Sequence, residues 1–212
     1  MENFFAKKKI HKAIGRLRFG FTLVEMIIVI AIFILVSFSV FEIYIFGQKF
    51  YQQQSDKAEL LQNGRIILER LSREIRQAEE IVTTLPLAYG SNLPNEVEFQ
   101  DGHFPSPYQS LGSEYYYIRY YLATSTNEFR RQYLVYCFDD CSTCSDYFRW
   151  NDTKIVGGDT TSTHPCLLED RIIGEYVDKI EFWKDGPINV IITLKKAGSQ
   201  LKLRTKIFGR NF

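Results

Sequence analysis

Twenty-six consecutive residues, Phe21 to Phe46, read FTLVEMIIVIAIFILVSFSVFEIYIF. No other feature limits this chain's folding so strongly. From Met26 to Phe41 only Ser37 and Ser39 interrupt the apolar run, and the stretch holds no proline or glycine. As an α-helix at 1.5 Å per residue it is about 39 Å long, enough to cross a hydrocarbon core of ~30 Å. Residues 1–20 carry Lys7, Lys8, Lys9, Lys12, Arg16 and Arg18 against Glu2, a net of +5. The chain's 26 basic and 25 acidic residues therefore leave 20 and 24 for residues 21–212, a net of −4. Basic charge before an apolar span places the N-terminus in the cytoplasm and everything after about residue 50 outside.

Three ordinary explanations fit less well. A secretory signal peptide has a shorter apolar region and a small-x-small cleavage site; here the one match, Ser37-Phe38-Ser39, lies inside the run. A buried helix of a soluble protein explains neither the charge tag nor the length. A simple membrane anchor explains both, but not Glu25, because a carboxylate in a spanning helix costs about 2–3 kcal/mol even on lenient scales.

Arg18-Phe19-Gly20-Phe21-Thr22-Leu23-Val24-Glu25 resembles the processing signal of bacterial type IV pilins and type II secretion pseudopilins. In that family a basic leader ends in Gly and is followed by Phe-Thr-Leu-(Val/Ile)-Glu and an apolar helix. The resemblance implies cleavage between Gly20 and Phe21 by a prepilin peptidase, N-methylation of Phe21, and filament assembly in which Glu25 meets a neighbour's terminal amine. It also implies the partners: the peptidase, other pilins through the helix, an inner-membrane assembly platform and the membrane itself. The chain would be a single-pass protein of the cytoplasmic membrane before it enters a filament. Ile67 to Ala78 is further similar to the helix of the J-class pseudopilins and W-class minor pilins, which implies a minor component.

Beyond Phe46 the composition turns polar, and apolar residues return at helical spacing. Leu60, Gly64, Ile67, Leu71, Ile75, Ala78 and Val82 make one helix face. Glu69 and Arg73 form an i,i+4 pair in the favoured direction. One helix from about 22 to 83 is expected, its second half packed on a globular domain. The organisation is then a leader at 1–20, an apolar helix at 21–46, an amphipathic continuation at 47–85 and a β-rich domain at 86–212.

In that domain the period changes to two. Tyr116, Ile118, Tyr120 and Leu122 face one way, and Tyr115, Tyr117, Arg119 and Tyr121 the other. Five tyrosines in seven residues read as aromatic packing on a β face rather than a binding surface. Further strands are expected near 97–99, 128–138, 167–173, 176–184, 188–195 and 201–208, with a hairpin turn at Lys196–Gln200. Mostly antiparallel strands behind one long helix make an α+β fold.

Cys137, Cys141, Cys144 and Cys166 are the only cysteines. The first three have the spacing of a radical-SAM iron–sulfur cluster, and His164 makes zinc conceivable. An oxidising compartment argues instead for two disulfides. Cys137–Cys166 with Cys141–Cys144 is the expected pairing, because strands 128–138 and 167–173 could be neighbours. Asp139, Asp140, Asp146, Asp152 and Asp159 lack the Asp-x-Asp-x-Asp-Gly pattern of a calcium loop and read as a solvated loop.

No nucleophile elbow, P-loop, dinucleotide fingerprint or zinc-protease motif occurs. No enzyme activity, cofactor or metal is expected. The net charge of +1 lacks the basic excess of a general nucleic-acid binder; DNA enters only as a ligand of a filament tip. A structural filament subunit is the leading reading. A tip-located module that binds a surface, an exported protein or DNA is the alternative.

Overall fold

The computed structural model describes Gly20, residues 22–103 and residues 106–210. Among the described residues one α-helix, α1 (Leu23–Gln77), is followed by a short 3-10 turn at Ser106–Leu111 and nine strands: β1 (Glu96–Gln100), β2 (Tyr117–Ala123), β3 (Glu128–Cys137), β4 (Thr153–Val156), β5 (Asp159–Ser162), β6 (His164–Gly174), β7 (Val177–Lys184), β8 (Ile188–Lys196) and β9 (Ser199–Ile207). Every ladder is antiparallel. The sheets have the orders β1-β2-β3-β6, β4-β5 and β7-β8-β9. The chain divides into two compact units, one ending at Phe50 and the other Tyr51–Phe212.

The first unit contains the apolar half of α1, which is long and apolar enough to cross a membrane. Every residue from Leu23 to Phe50 is exposed. An apolar surface on all sides of a helix needs lipid or several protein neighbours, whereas a single stripe would need one.

In the second unit the expected stripe is the buried face. Leu60, Gly64, Ile67, Leu71 and Ile75 are buried, and Ala78 joins them in the core with Phe99, Ile118, Tyr120, Phe129, Tyr133, Val190 and Ile192. At Gly64 the helix comes close to β8 and β9, where an added Cβ would lie 3.1 Å from a Leu194 methyl.

The helix ends at Gln77, not near 83. Val82 N–H and Thr83 N–H donate to the Glu98 carbonyl, Gln100 N–H donates to the Glu80 carbonyl, and Ile81 bridges Phe99. Ile81-Val82-Thr83-Thr84 is β-branched throughout, and a β partner in β1 suits it better than another helical turn. The expected Glu69–Arg73 pair also does not form among the described residues; Arg70 pairs with Glu74 instead, at 3.3 Å.

The tyrosines pack as aromatic core. Tyr116 and Tyr120 face α1, with Tyr116 stacked on Tyr133 and Tyr120 on Phe129. Tyr117 faces the other side, edge-on to Tyr136 beside Leu134. The Ala197–Gly198 turn joins β8 to β9 with both residues at positive φ, as a two-residue hairpin requires. A hairpin not anticipated, β4–β5, turns at Gly157–Gly158, also both positive in φ. Both of its strands are exposed on each face, so no burial alternation announces it.

Candidate functional site

The N-terminal site begins where the helix does. Thr22 lies just outside α1, and its Oγ1 accepts a hydrogen bond from Glu25 N–H at 3.3 Å. Thr22 O accepts from Met26 N–H at 3.2 Å. Thr22 is thus the N-cap and Glu25 the third helical residue, the placement of a capping box. Glu25 lies in the first turn, where the helix dipole favours a carboxylate. Its side chain makes no ion pair among the described residues. Gly20 is exposed with open space around its Cα. Phe21 and residues 1–19, which carry the basic charges, lie outside the described residues. The capping role of Thr22 was missed in the sequence, although Thr-x-x-Glu before an apolar run signals it.

Residues 15–41 match the family described as the prokaryotic N-terminal methylation motif. The chain carries a prepilin-type processing signal. The match covers the end of the leader, Gly20, Phe21, Glu25 and most of the apolar run. It supports a place in the type IV pilin and pseudopilin family. The whole chain gives no significant match to curated proteins or to solved structures.

The four cysteines all pair, but not as expected. Cys137 joins Cys144 and Cys141 joins Cys166, with Cα separations of 6.2 and 5.4 Å. Strands β3 and β6 are neighbours, as supposed, but the register decides the pairing. Cys137 lies opposite His164, and Cys166 lies opposite Val135. The turn closed by Thr143 N–H on the Asp140 carbonyl folds the chain back after β3. That brings Cys144 under Cys137 and leaves Cys141 beside β6. Cys141, His164 and Cys166 present ligand-type atoms within 4.8 Å of one another. Zinc needs thiolates, and here the two sulfurs are bonded to each other.

A second group of residues went unread in the sequence. Arg131 occupies an inward position of β3, and its Nε donates to Glu74 Oε2 at 2.8 Å. Tyr120 O–H donates to the same oxygen at 2.8 Å. Burial lifts the Tyr120 phenol far above its ordinary pKa, and the Glu74 charge adds to this. Burial alone would lower the Arg131 pKa, but Glu74 and its neighbours hold it raised. The group ties α1 to the middle of the four-stranded sheet, and Glu74 is half-buried there. It contains no nucleophile paired with a base and is an anchor, not a reaction centre.

Proposed function

We propose that this chain is a structural, pilin-like subunit, a minor pilin or pseudopilin of a type IV pilus-like filament. The observation that carries the reading is the methylation motif joined directly to a helix with exposed apolar surface on every side. Prepilin peptidase cuts after Gly20 and methylates the new N-terminus at Phe21. The apolar helix holds the subunit in the cytoplasmic membrane, with the β-rich domain outside. From there an assembly platform moves it into a filament, where helices of neighbouring pilins replace lipid around it. The helix pattern Leu-x-Arg-Glu-Ile-Arg-x-Ala at 71–78 supports the minor class. Two disulfides agree with an oxidising compartment for the domain.

Mass spectrometry of the N-terminal peptide tests the reading. Cells with active prepilin peptidase are expected to yield a chain that begins at Phe21 and is one methyl group heavier than its sequence. An intact leader, or a mature chain beginning near Val40, overturns it.

A further inference from the structure

Cys141, His164 and Cys166 offer two sulfurs and one imidazole nitrogen within 4.8 Å of one another. Two of the three residues come from one strand. His164 and Cys166 are alternate residues of β6, and alternate residues of a strand share a face. The third arrives from the loop after β3. Cys141 lies inside the ring of chain that the Cys137–Cys144 bridge closes, so Cys141 stays close to β6 even when its own bond to Cys166 opens. The two bridges also differ in access. Cys137 is fully buried and Cys166 nearly so, whereas Cys141 is exposed. A thiol from outside therefore reaches Cys141 first. A disulfide needs no imidazole beside it, and the His164 side chain makes no hydrogen bond or ion pair among the described residues.

We propose that Cys141, His164 and Cys166 bind a thiophilic divalent cation of the zinc type when the Cys141–Cys166 bond is reduced, while Cys137–Cys144 stays closed. A dithiol reductant attacks Cys141 Sγ, and the S–S bond breaks with its electron pair on Cys166 Sγ. The reductant's second thiol then displaces Cys141 Sγ and leaves as a cyclic disulfide, so the protein gains two electrons and two protons. The cation takes the place of those two protons, and His164 adds a nitrogen lone pair. Bonds of about 2.3 Å to sulfur and about 2.0 Å to nitrogen put the ligand atoms roughly 3.5–3.8 Å apart in a tetrahedral site. The bonded sulfurs must separate to that spacing, and the exposed Cys141 side chain has the room to turn. Three protein ligands leave a fourth position for water. Calcium and magnesium fit less well, because they take oxygen ligands and no aspartate of the loop belongs to this cluster among the described residues. Metal and oxidation thus compete for the same two sulfurs. The ion ties the loop to β6 before the bridge forms, and the bridge ties it afterwards.

The test uses the full-length chain, purified in detergent without a histidine tag. It is treated with a dithiol reductant in the absence of oxygen and without denaturant, and the reductant is removed. Alkylation and peptide mapping are expected to find Cys141 and Cys166 free and Cys137 still joined to Cys144. Cobalt(II) is then titrated as a spectroscopic probe. The reduced chain is expected to bind one cobalt, with a thiolate-to-cobalt charge-transfer band and the intense visible bands of a tetrahedral site, and zinc is expected to bleach both. Zinc should also slow alkylation of Cys141 and Cys166 at least tenfold. His164→Ala is expected to weaken cobalt binding at least tenfold, and its two bridges in the oxidised state show that it folds. X-ray absorption of the zinc-loaded wild-type chain reads the donor set without any substitution: two sulfurs, with nitrogen and oxygen. Opening of both bridges together, no cobalt binding, equal binding by the oxidised chain, a donor set without two sulfurs, or an affinity indifferent to His164→Ala overturns the proposal.

Discussion

Asp101 and Asp170 are both half-buried carboxylates, yet their surroundings move them in opposite directions. Burial raises the pKa of Asp101, and bonds from Tyr133 O–H and His103 N–H only partly offset it. Burial also pushes Asp170 upward, but donors from Arg130, Gln132 and Tyr121 outweigh it and hold the group below its ordinary value. The linkage signs follow. A carboxylate raised in the folded state costs stability as pH climbs from its unfolded pKa, near 4, through its folded one. A carboxylate lowered in the folded state contributes stability above about pH 4 and loses it as pH falls through its folded pKa. Asp101→Asn is therefore expected to stabilise by about 1 kcal/mol at pH 7, with the gain vanishing below about pH 4. Asp170→Asn is expected to destabilise by about 1 kcal/mol at pH 7, and that loss also vanishes in acid. Urea midpoints of the mature protein at pH 3, 5 and 7 check both; shifts of the same sign in the two variants contradict the account.

At the scale of elements, fit between α1 and the sheet decides stability, and small residues make the fit possible. Gly174 ends β6 where a side chain would strike the tip of Ile67 on the helix. Gly174→Val is expected to cost about 1–3 kcal/mol through overpacking, and pairing it with Ile67→Ala should recover part of the loss. Equal, additive losses in a double-mutant cycle would falsify that contact. The α1 stripe was legible because five residues from Leu60 to Ile75 at steps of three and four leave little choice of face. The helix end was not, because Val82 continues the same spacing; what ends the helix is β1, which offers partners to a β-branched run. Disulfide pairing was equally out of reach, since the β3–β6 register sets Cys137 opposite His164 and no spacing rule supplies that register. The Arg131–Glu74 pair went unread because the burial of Arg131 depends on Glu74 arriving from a helix 57 positions earlier. Gly157-Gly158 was a readable hairpin signal, hidden by the polarity of the strands beside it.

For the molecule as a whole, Glu25 of the proposed filament subunit, one of two carboxylates in the apolar stretch with Glu42, has to serve both membrane insertion and assembly. Glu25 lies in the first turn of α1, in the unit ending at Phe50, while the β domain belongs to the other unit. In the proposed mature chain, before assembly, the helix dipole and the new terminal amine partly offset its desolvation. Inside a filament, greasy helices can slide past one another without an energetic preference for register. In the proposed filament a neighbour's Phe21 amine near the carboxylate supplies that preference. Glu25→Gln keeps the size and removes the charge. Membrane insertion should be normal or slightly easier, because the amide costs less in lipid. Cleavage after Gly20 should proceed, since Gly20 and Phe21 are unchanged. The fold of residues 51–212 should be unaltered. Incorporation is what should fail, by at least tenfold in the ratio of sheared filament to membrane-retained protein. Wild-type incorporation of the Gln variant would show that the charge does not set register. A subunit that starts the filament, with none ahead of it to meet Glu25, would produce that result; tagging the filament end in the same strain separates this position from a charge that has no role.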